Sequence, residues 1–63
     1  MIIEAGKTYV CRDGSLFFAQ AITKNKGRTF KVQGEDEQGR ITWRSLKGRF
    51  SNAPHRLDVV SPK

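Results

Sequence analysis

Turn-forming glycine positions recur so often along this chain that they leave little room for a long helix. Asp13-Gly14, Lys26-Gly27, the pair Gly34 and Gly39, and Gly48 cut it into short pieces. The pieces carry strand chemistry. Thr8-Tyr9-Val10-Cys11-Arg12 is rich in β-branched and aromatic residues, which suit a pleated, half-buried strand. Asp13-Gly14 follows at once and predicts a two-residue hairpin turn with both residues at positive φ. From Ser15 to Thr23, Leu16, Phe18 and Ile22 share one parity, while Phe17, Ala19 and Ala21 share the other. Leu, Ala and Gln there also favour helix. Two adjacent phenylalanines directly after a tight turn, with no N-cap box, favour the strand.

After the polar turn Lys24-Asn25-Lys26-Gly27-Arg28, Thr29 to Gln33 alternates, with Phe30 and Val32 expected inward. Gly34 to Gly39 reads as another turn. Arg40 to Arg44 alternates again, with Ile41 and Trp43 expected inward and Arg40, Thr42 and Arg44 outward. Residues 29–44 therefore predict a second hairpin. Ser45 to Arg56 is less regular: Leu46 and Phe50 are expected as apolar anchors, and Asn52-Ala53-Pro54 is loop chemistry. Leu57-Asp58-Val59-Val60 reads as a closing strand. Five short strands on tight turns predict an all-β fold, a small five-stranded SH3-like barrel or strongly bent antiparallel sheet. Closure removes the exposed edges that a small sheet must otherwise hide.

The chain has 63 residues, which makes residues 1–63 a single domain. A domain of this size buries only about 60% of its unfolded surface, so it needs good packing, a staple or a second copy. Cys11 is the only cysteine, which excludes an internal disulfide, and with His55 as the only histidine it cannot supply a four-ligand zinc site. Stability must then come from Tyr9, Phe17, Phe18, Phe30, Trp43, Phe50 and the aliphatics, or from a homodimer. No metal or other cofactor is expected. The N-terminal residues show no basic-then-apolar signal pattern and no stretch is long enough for a membrane span, so a reducing, cytoplasmic setting is expected.

The formal charge is +6, and it is unevenly placed. Residues 1–23 are neutral, residues 24–39 carry +1 and residues 40–63 carry +5. With the hairpin drawn as above, Lys24, Lys26, Arg28, Lys31, Arg40, Arg44, Lys47 and Arg49 gather on and around one face. Lys and Arg that neutralise phosphates supply most non-specific affinity for nucleic acid through counterion release. Thr29, Gln33 and Thr42 between them add neutral hydrogen bonds to a backbone. The expected function is thus a small basic module that binds nucleic acid non-specifically through backbone contacts. The aromatics are assigned to the core, which leaves no stacking platform. Glu35-Asp36-Glu37 at the hairpin tip would repel phosphate and end the footprint there. The plain alternative is a solvated face that only keeps the protein soluble. An enzyme is not expected: Cys11 lies in a strand, His55 in a Pro-adjacent loop, and no nucleophile–base motif, P-loop or calcium loop occurs.

Gly6-Lys7-Thr8-Tyr9 with Arg12-Asp13-Gly14, then Trp43, Gly48-Arg49-Phe50 and Leu57-Asp58-Val59-Val60, resembles small proteins encoded by tailed bacteriophages and prophages. The resemblance implies a compact β-fold and the cytoplasm of a bacterial host. It also implies a second function class, an accessory protein that occupies a surface of a host defence, nuclease or transcription protein. The basic face would then dock on an acidic host surface. Gly48-Arg49-Phe50 belongs to the shared pattern, so Arg49 is also expected as a fold-supporting arginine paired with Asp13 or Asp58.

Overall fold

Three of the glycines close the same kind of turn, and these turns set where strands stop. Cys11 N–H donates to the Ser15 carbonyl (2.8 Å) and Gly14 N–H donates back to the Cys11 carbonyl (2.9 Å). The pair Asp36/Arg40 repeats this with Gly39 (3.0 and 3.1 Å), and Ser45/Arg49 with Gly48 (2.8 and 2.9 Å). Each is a three-residue loop ending on a glycine at positive φ, +86°, +78° and +92° in chain order. That form joins a turn to a one-residue bulge and needs only one left-handed position. The expected two-residue turn at Asp13-Gly14 is therefore corrected: Asp13 keeps negative φ, and its Oδ1 accepts from Ser15 N–H at 2.9 Å. A carboxylate that bridges the loop offsets the lost ladder bonds.

The computed structural model describes residues 1–63 and contains strands only: β1 (Thr8–Cys11), β2 (Leu16–Ile22), β3 (Val32–Asp36), β4 (Ile41–Arg44) and β5 (Val59–Pro62). All pair antiparallel in one sheet of order β4-β3-β2-β1-β5. A four-strand meander whose last strand returns beside the first is the order of an SH3-like barrel. Ile3, Tyr9, Cys11, Phe17, Ala19, Val32 and Val59 form a single core, with Ile22 and Leu46 packed against it. Val32 of β3 and Val59 of β5 belong to that one cluster, so the sheet bends far enough for distant strands to share an interior.

Bulges permit that bend. Ala19 pairs with Gly34 and Ala21 with Gln33, which leaves Gln20 as an extra residue on β2. The extra residue exchanges the faces along β2. Phe17 and Ala19 point inward before it and Ile22 after it, while Phe18 is exposed. The expected grouping of Leu16, Phe18 and Ile22 on one face is therefore overturned. Gly34, expected in a turn, lies inside β3 where the backbone passes directly over Phe17. A Cβ at this position would fall about 2.5 Å from the Phe17 ring and from the Phe18 carbonyl oxygen.

The second hairpin is also displaced. β3 begins at Val32 and runs through Gly34 to Asp36, so Phe30 lies before it. Val32 faces Arg44 across the β3–β4 ladder, and Gln33 faces Trp43. Residues directly opposite share a face, and Val32 is held inside by its pairing with Ile22. Arg44 must therefore point inward and Trp43 outward, the reverse of the expected parity. Arg44 is 1% exposed and Ile41 is 50% exposed.

Burying Arg44 is tolerated because its fork meets acceptors and rings. Nε donates to the Leu57 carbonyl at 2.9 Å; Nη1 donates to Thr42 Oγ1 and to the Trp43 carbonyl, both at 3.0 Å. The guanidinium lies between Phe17 (4.4 Å) and Phe50 (4.8 Å), and Phe50 in turn stacks on His55 at 4.4 Å. Leu57 directly precedes Asp58 and β5, so Arg44 links the β4 end of the sheet to the chain entering the opposite edge. Burial pulls its pKa below the ordinary arginine value, yet a guanidinium stays charged at neutral pH.

Asp58 fastens the long β4–β5 connection. It is 2% exposed; its Oδ1 accepts from Phe50 N–H at 2.8 Å and its Oδ2 from His55 N–H at 3.1 Å. Arg12 and Arg49 approach the same carboxylate at 3.6 and 3.8 Å. The expectation that Arg49 pairs with Asp13 or Asp58 is met by Asp58. Asp13 pairs instead with Arg56 at 3.0 Å. Ile3 completes the core from outside the sheet, its N–H donating to the Leu46 carbonyl at 2.9 Å.

Candidate nucleic-acid interface

The eight cations singled out in the sequence do not form one cluster. Arg28 and Lys31 leave the loop before β3, and Lys47 and Arg49 leave the glycine turn after β4. The Ser45–Arg49 turn folds the second pair back beside the first. Together with Thr29, Ser45 and Leu46 they line one open concavity of about 340 Å³ in which no carboxylate takes part. Arg49's ion-pair partner Asp58 is buried behind it, so the acid does not face the concavity. Lys24 and Lys26 are exposed on the same loop as Arg28, with no ion-pair partner.

Two of the eight fall elsewhere. Arg44 is in the core, for the register reason given above, and is removed from the surface set. Arg40 stands at the tip of the β3–β4 hairpin, ion-paired to Asp36 at 3.0 Å. It faces a separate hollow of about 270 Å³ whose charged lining, Asp13, Asp36, Glu37, Arg40, Arg44 and Arg56, is balanced in sign. The Arg40 N–H, ahead of the Gln38 N–H and the Arg40 side chain, holds Asp36 below the ordinary carboxylate value against the opposing effect of burial. An ionised acid beside Arg40 cancels its attraction for a polyanion. The acid-rich hairpin tip is thus separate from the acid-free concavity.

The aromatics are where sequence reasoning missed most. Trp43, Phe30 and Phe50, all assigned to the core, are half-buried, and they line a depression of about 420 Å³ with Arg28, Ile41 and Thr42. Arg28 lines both this depression and the cationic concavity. Its guanidinium lies 4.0 Å from the centre of the Trp43 ring, and its Nε donates to the Phe30 carbonyl at 2.9 Å. A small third hollow, lined by Thr29, Phe30, Ser45, Arg49, Ser51 and Asn52, adjoins the other two through shared residues. One continuous face therefore offers cations at one end and aromatic rings at the other, with hydroxyl and amide groups between. The signal for it was present in the sequence as Arg28-Thr29-Phe30-Lys31 and Trp43 to Phe50, where cations and aromatics interleave. Assigning the rings to the core concealed it.

The remaining chemistry is sparse. Cys11 is buried and free in β1. His55 stacks on Phe50, and its Nδ1 accepts from Leu57 N–H at 3.1 Å, a turn-closing role. No three His, Cys, Asp or Glu side chains are grouped as a metal site would need, and no helix is long and apolar enough to cross a membrane. No protein-family model matches the chain, and no characterised protein or solved structure does so either.

Proposed function

We propose that this chain is a small nucleic-acid-binding module that takes phosphates in the concavity formed by Arg28, Lys31, Lys47 and Arg49. The observation that carries the reading is the composition of that wall: four cations and two hydroxyl groups, with no carboxylate. Elsewhere on the molecule Lys7, Arg40 and Arg56 are each offset by an acid within about 3 Å. Arg28, Lys31 and Lys47 have no ion-pair partner and Arg49 meets only the buried Asp58, so a surface that only needed solubility would have no reason to concentrate these cations in one hollow. Phosphate oxygens accept from Lys, Arg, Ser and Thr donors alike, and Thr29 and Ser45 stand among the four cations. Exposed Lys24 and Lys26 extend the positive field along the adjoining loop and favour encounter.

Binding of a labelled oligonucleotide, followed by fluorescence anisotropy across a salt series, tests this. Affinity should fall steeply with salt, with a log–log slope that loses about 0.7–0.9 for each phosphate contact removed. Lys31→Glu with Lys47→Glu should weaken binding by about tenfold or more and flatten that slope. Arg40→Glu, outside the concavity, should change affinity by less than about twofold. Binding that ignores salt, or a double variant that binds like the parent, would overturn the proposal.

A further inference from the structure

Resting on the reading of the cationic concavity as a phosphate site, we infer that the partner is an unpaired nucleic-acid strand whose bases stack in the adjoining aromatic depression. The chain has six aromatic residues of the Phe, Tyr and Trp types. Only Tyr9 and Phe17 are in the core, and Phe30, Trp43 and Phe50 line the depression instead. A chain this short has little apolar surface to spare, so leaving Phe30 and Trp43 half outside the core is costly unless something else covers them, whereas Phe50 already meets Arg44 and His55.

The two concavities match the two sides of a single strand. Phosphates run along one edge of an unpaired strand and bases along the other, and binders of such strands join a positive groove to aromatic platforms. A duplex presents phosphates but hides the base faces, so it would leave the depression unused. Arg28 stands at the junction. Its flat guanidinium already rides on Trp43, pinned by the Phe30 carbonyl, and no carboxylate pairs with it. A base stacks on an arginine plane as well as on an indole, so Arg28 and Trp43 form one stacking tier. The same cation lies within the phosphate-binding wall. Thr42 also lines the depression, its Oγ1 accepting from Arg44. No side-chain pattern here reads a base edge, which predicts tolerance of sequence.

Trp43 is the only tryptophan, so its own emission reports the event in the unmodified protein. The full chain is titrated at low salt with oligo-dT, oligo-rU, an abasic strand of equal length, a duplex of equal length and a poly-glutamate of equal charge. Oligo-dT or oligo-rU should quench Trp43 and bind about tenfold or more tightly than the abasic strand, and comparison of the two identifies a DNA or an RNA source. Trp43→Leu, which lacks the emitting ring and is followed by the anisotropy of labelled strands, should lower homopolymer affinity by about tenfold and abasic-strand affinity by less than about threefold, with a circular-dichroism melt verifying the fold. An abasic strand or duplex that equals the homopolymers, with Trp43 emission unchanged, would overturn the stacking inference. Salt-dependent binding of those same ligands would still uphold the phosphate concavity, so the two readings fail separately. Poly-glutamate binding as tightly as oligo-dT would overturn both.

Discussion

Arg44 illustrates how one residue can be read correctly for charge and wrongly for role. On charge pattern alone it reads as a phosphate ligand on the outer face; its position opposite Val32 puts it inside, against Phe17 and Phe50. Its donors satisfy two backbone carbonyls, and its flat face fills a layer between two rings. Arg44→Ala should therefore cost about 3–5 kcal/mol, from the cavity and the stranded Leu57 and Trp43 carbonyls together. Urea denaturation followed by far-UV circular dichroism measures this, and a loss below about 1 kcal/mol would refute the buried role. Arg44→Lys keeps the charge without the planar layer and should still lose more than about 1 kcal/mol. The groove cations behave oppositely. Lys31 or Lys47 can be changed with a stability effect within about 0.5 kcal/mol, as is usual for surface positions. Phe50 and Trp43 differ in the same way: Phe50 supports Arg44 from one side, whereas Trp43 carries only Arg28 on its ring.

Among the elements, the strands owe their boundaries to the glycine turns and their faces to register. Gly39 and Gly34 separate these two controls. Gly39 is in open space, so a methyl group there meets nothing, and only its positive φ resists substitution. Gly39→Ala should cost about 1–2 kcal/mol, the price of a left-handed alanine. Gly34 is not in that region, but a Cβ there runs into the Phe17 ring and the Phe18 carbonyl. The carbonyl belongs to β2 and cannot rotate away, so Gly34→Ala should cost about 3 kcal/mol or more. Urea midpoints at unchanged m-value give the comparison; a milder effect at Gly34 than at Gly39 would contradict the close approach of β3 over Phe17. The Gln20 bulge follows the same logic, because without it Ile22 would face solvent and Ala21 the core.

On the scale of the whole molecule, the charges that serve stability and those that serve binding overlap only at Arg49. Asp58 ties together the β4–β5 connection, and its acid behaviour follows from the groups around it. Burial by itself would raise the carboxyl's pKa. The Phe50 and His55 N–H groups and the Arg49 and Arg12 charges outweigh that and hold it below the ordinary 3.8. A folded-state pKa below the unfolded one stabilises the fold above the unfolded value, and this stability is lost as pH falls through the folded value. The protein should therefore melt at progressively lower temperature below about pH 4. Asp58→Asn should be clearly less stable than the parent at neutral pH. The gap should shrink as pH falls below the ordinary carboxylate range and the parent's Asp58 also takes up its proton. Melting temperatures across that range decide the matter, and a gap that stays constant would exclude ionised Asp58 as the tie. Of the concavity's cations only Arg49 takes part in this, so substitutions at Lys31 and Lys47 should change binding and leave acid stability as it is.

Local chemistry in the sequence determined the number of strands, the glycine turns that end at Gly14, Gly39 and Gly48, the all-β class and the excess of positive charge. Those properties follow from short-range preferences: β-branched and aromatic runs extend, and glycine admits the left-handed turn. Tertiary structure alone decided which face each strand turns inward. The alternation of Ile41, Thr42, Trp43 and Arg44 has the same period whichever face is buried, so pattern by itself cannot choose. The choice came from the neighbouring strand, through the three-residue turn at Glu37–Gly39 and the extra residue at Gln20, and it exchanged Trp43 with Arg44. Tertiary structure also brought Arg28 and Lys31 beside Lys47 and Arg49, because residues so far apart in sequence meet only when the Ser45–Arg49 turn reverses the chain. The sequence contained the cations and the rings; the register decided that the rings would lie outside, next to the charges.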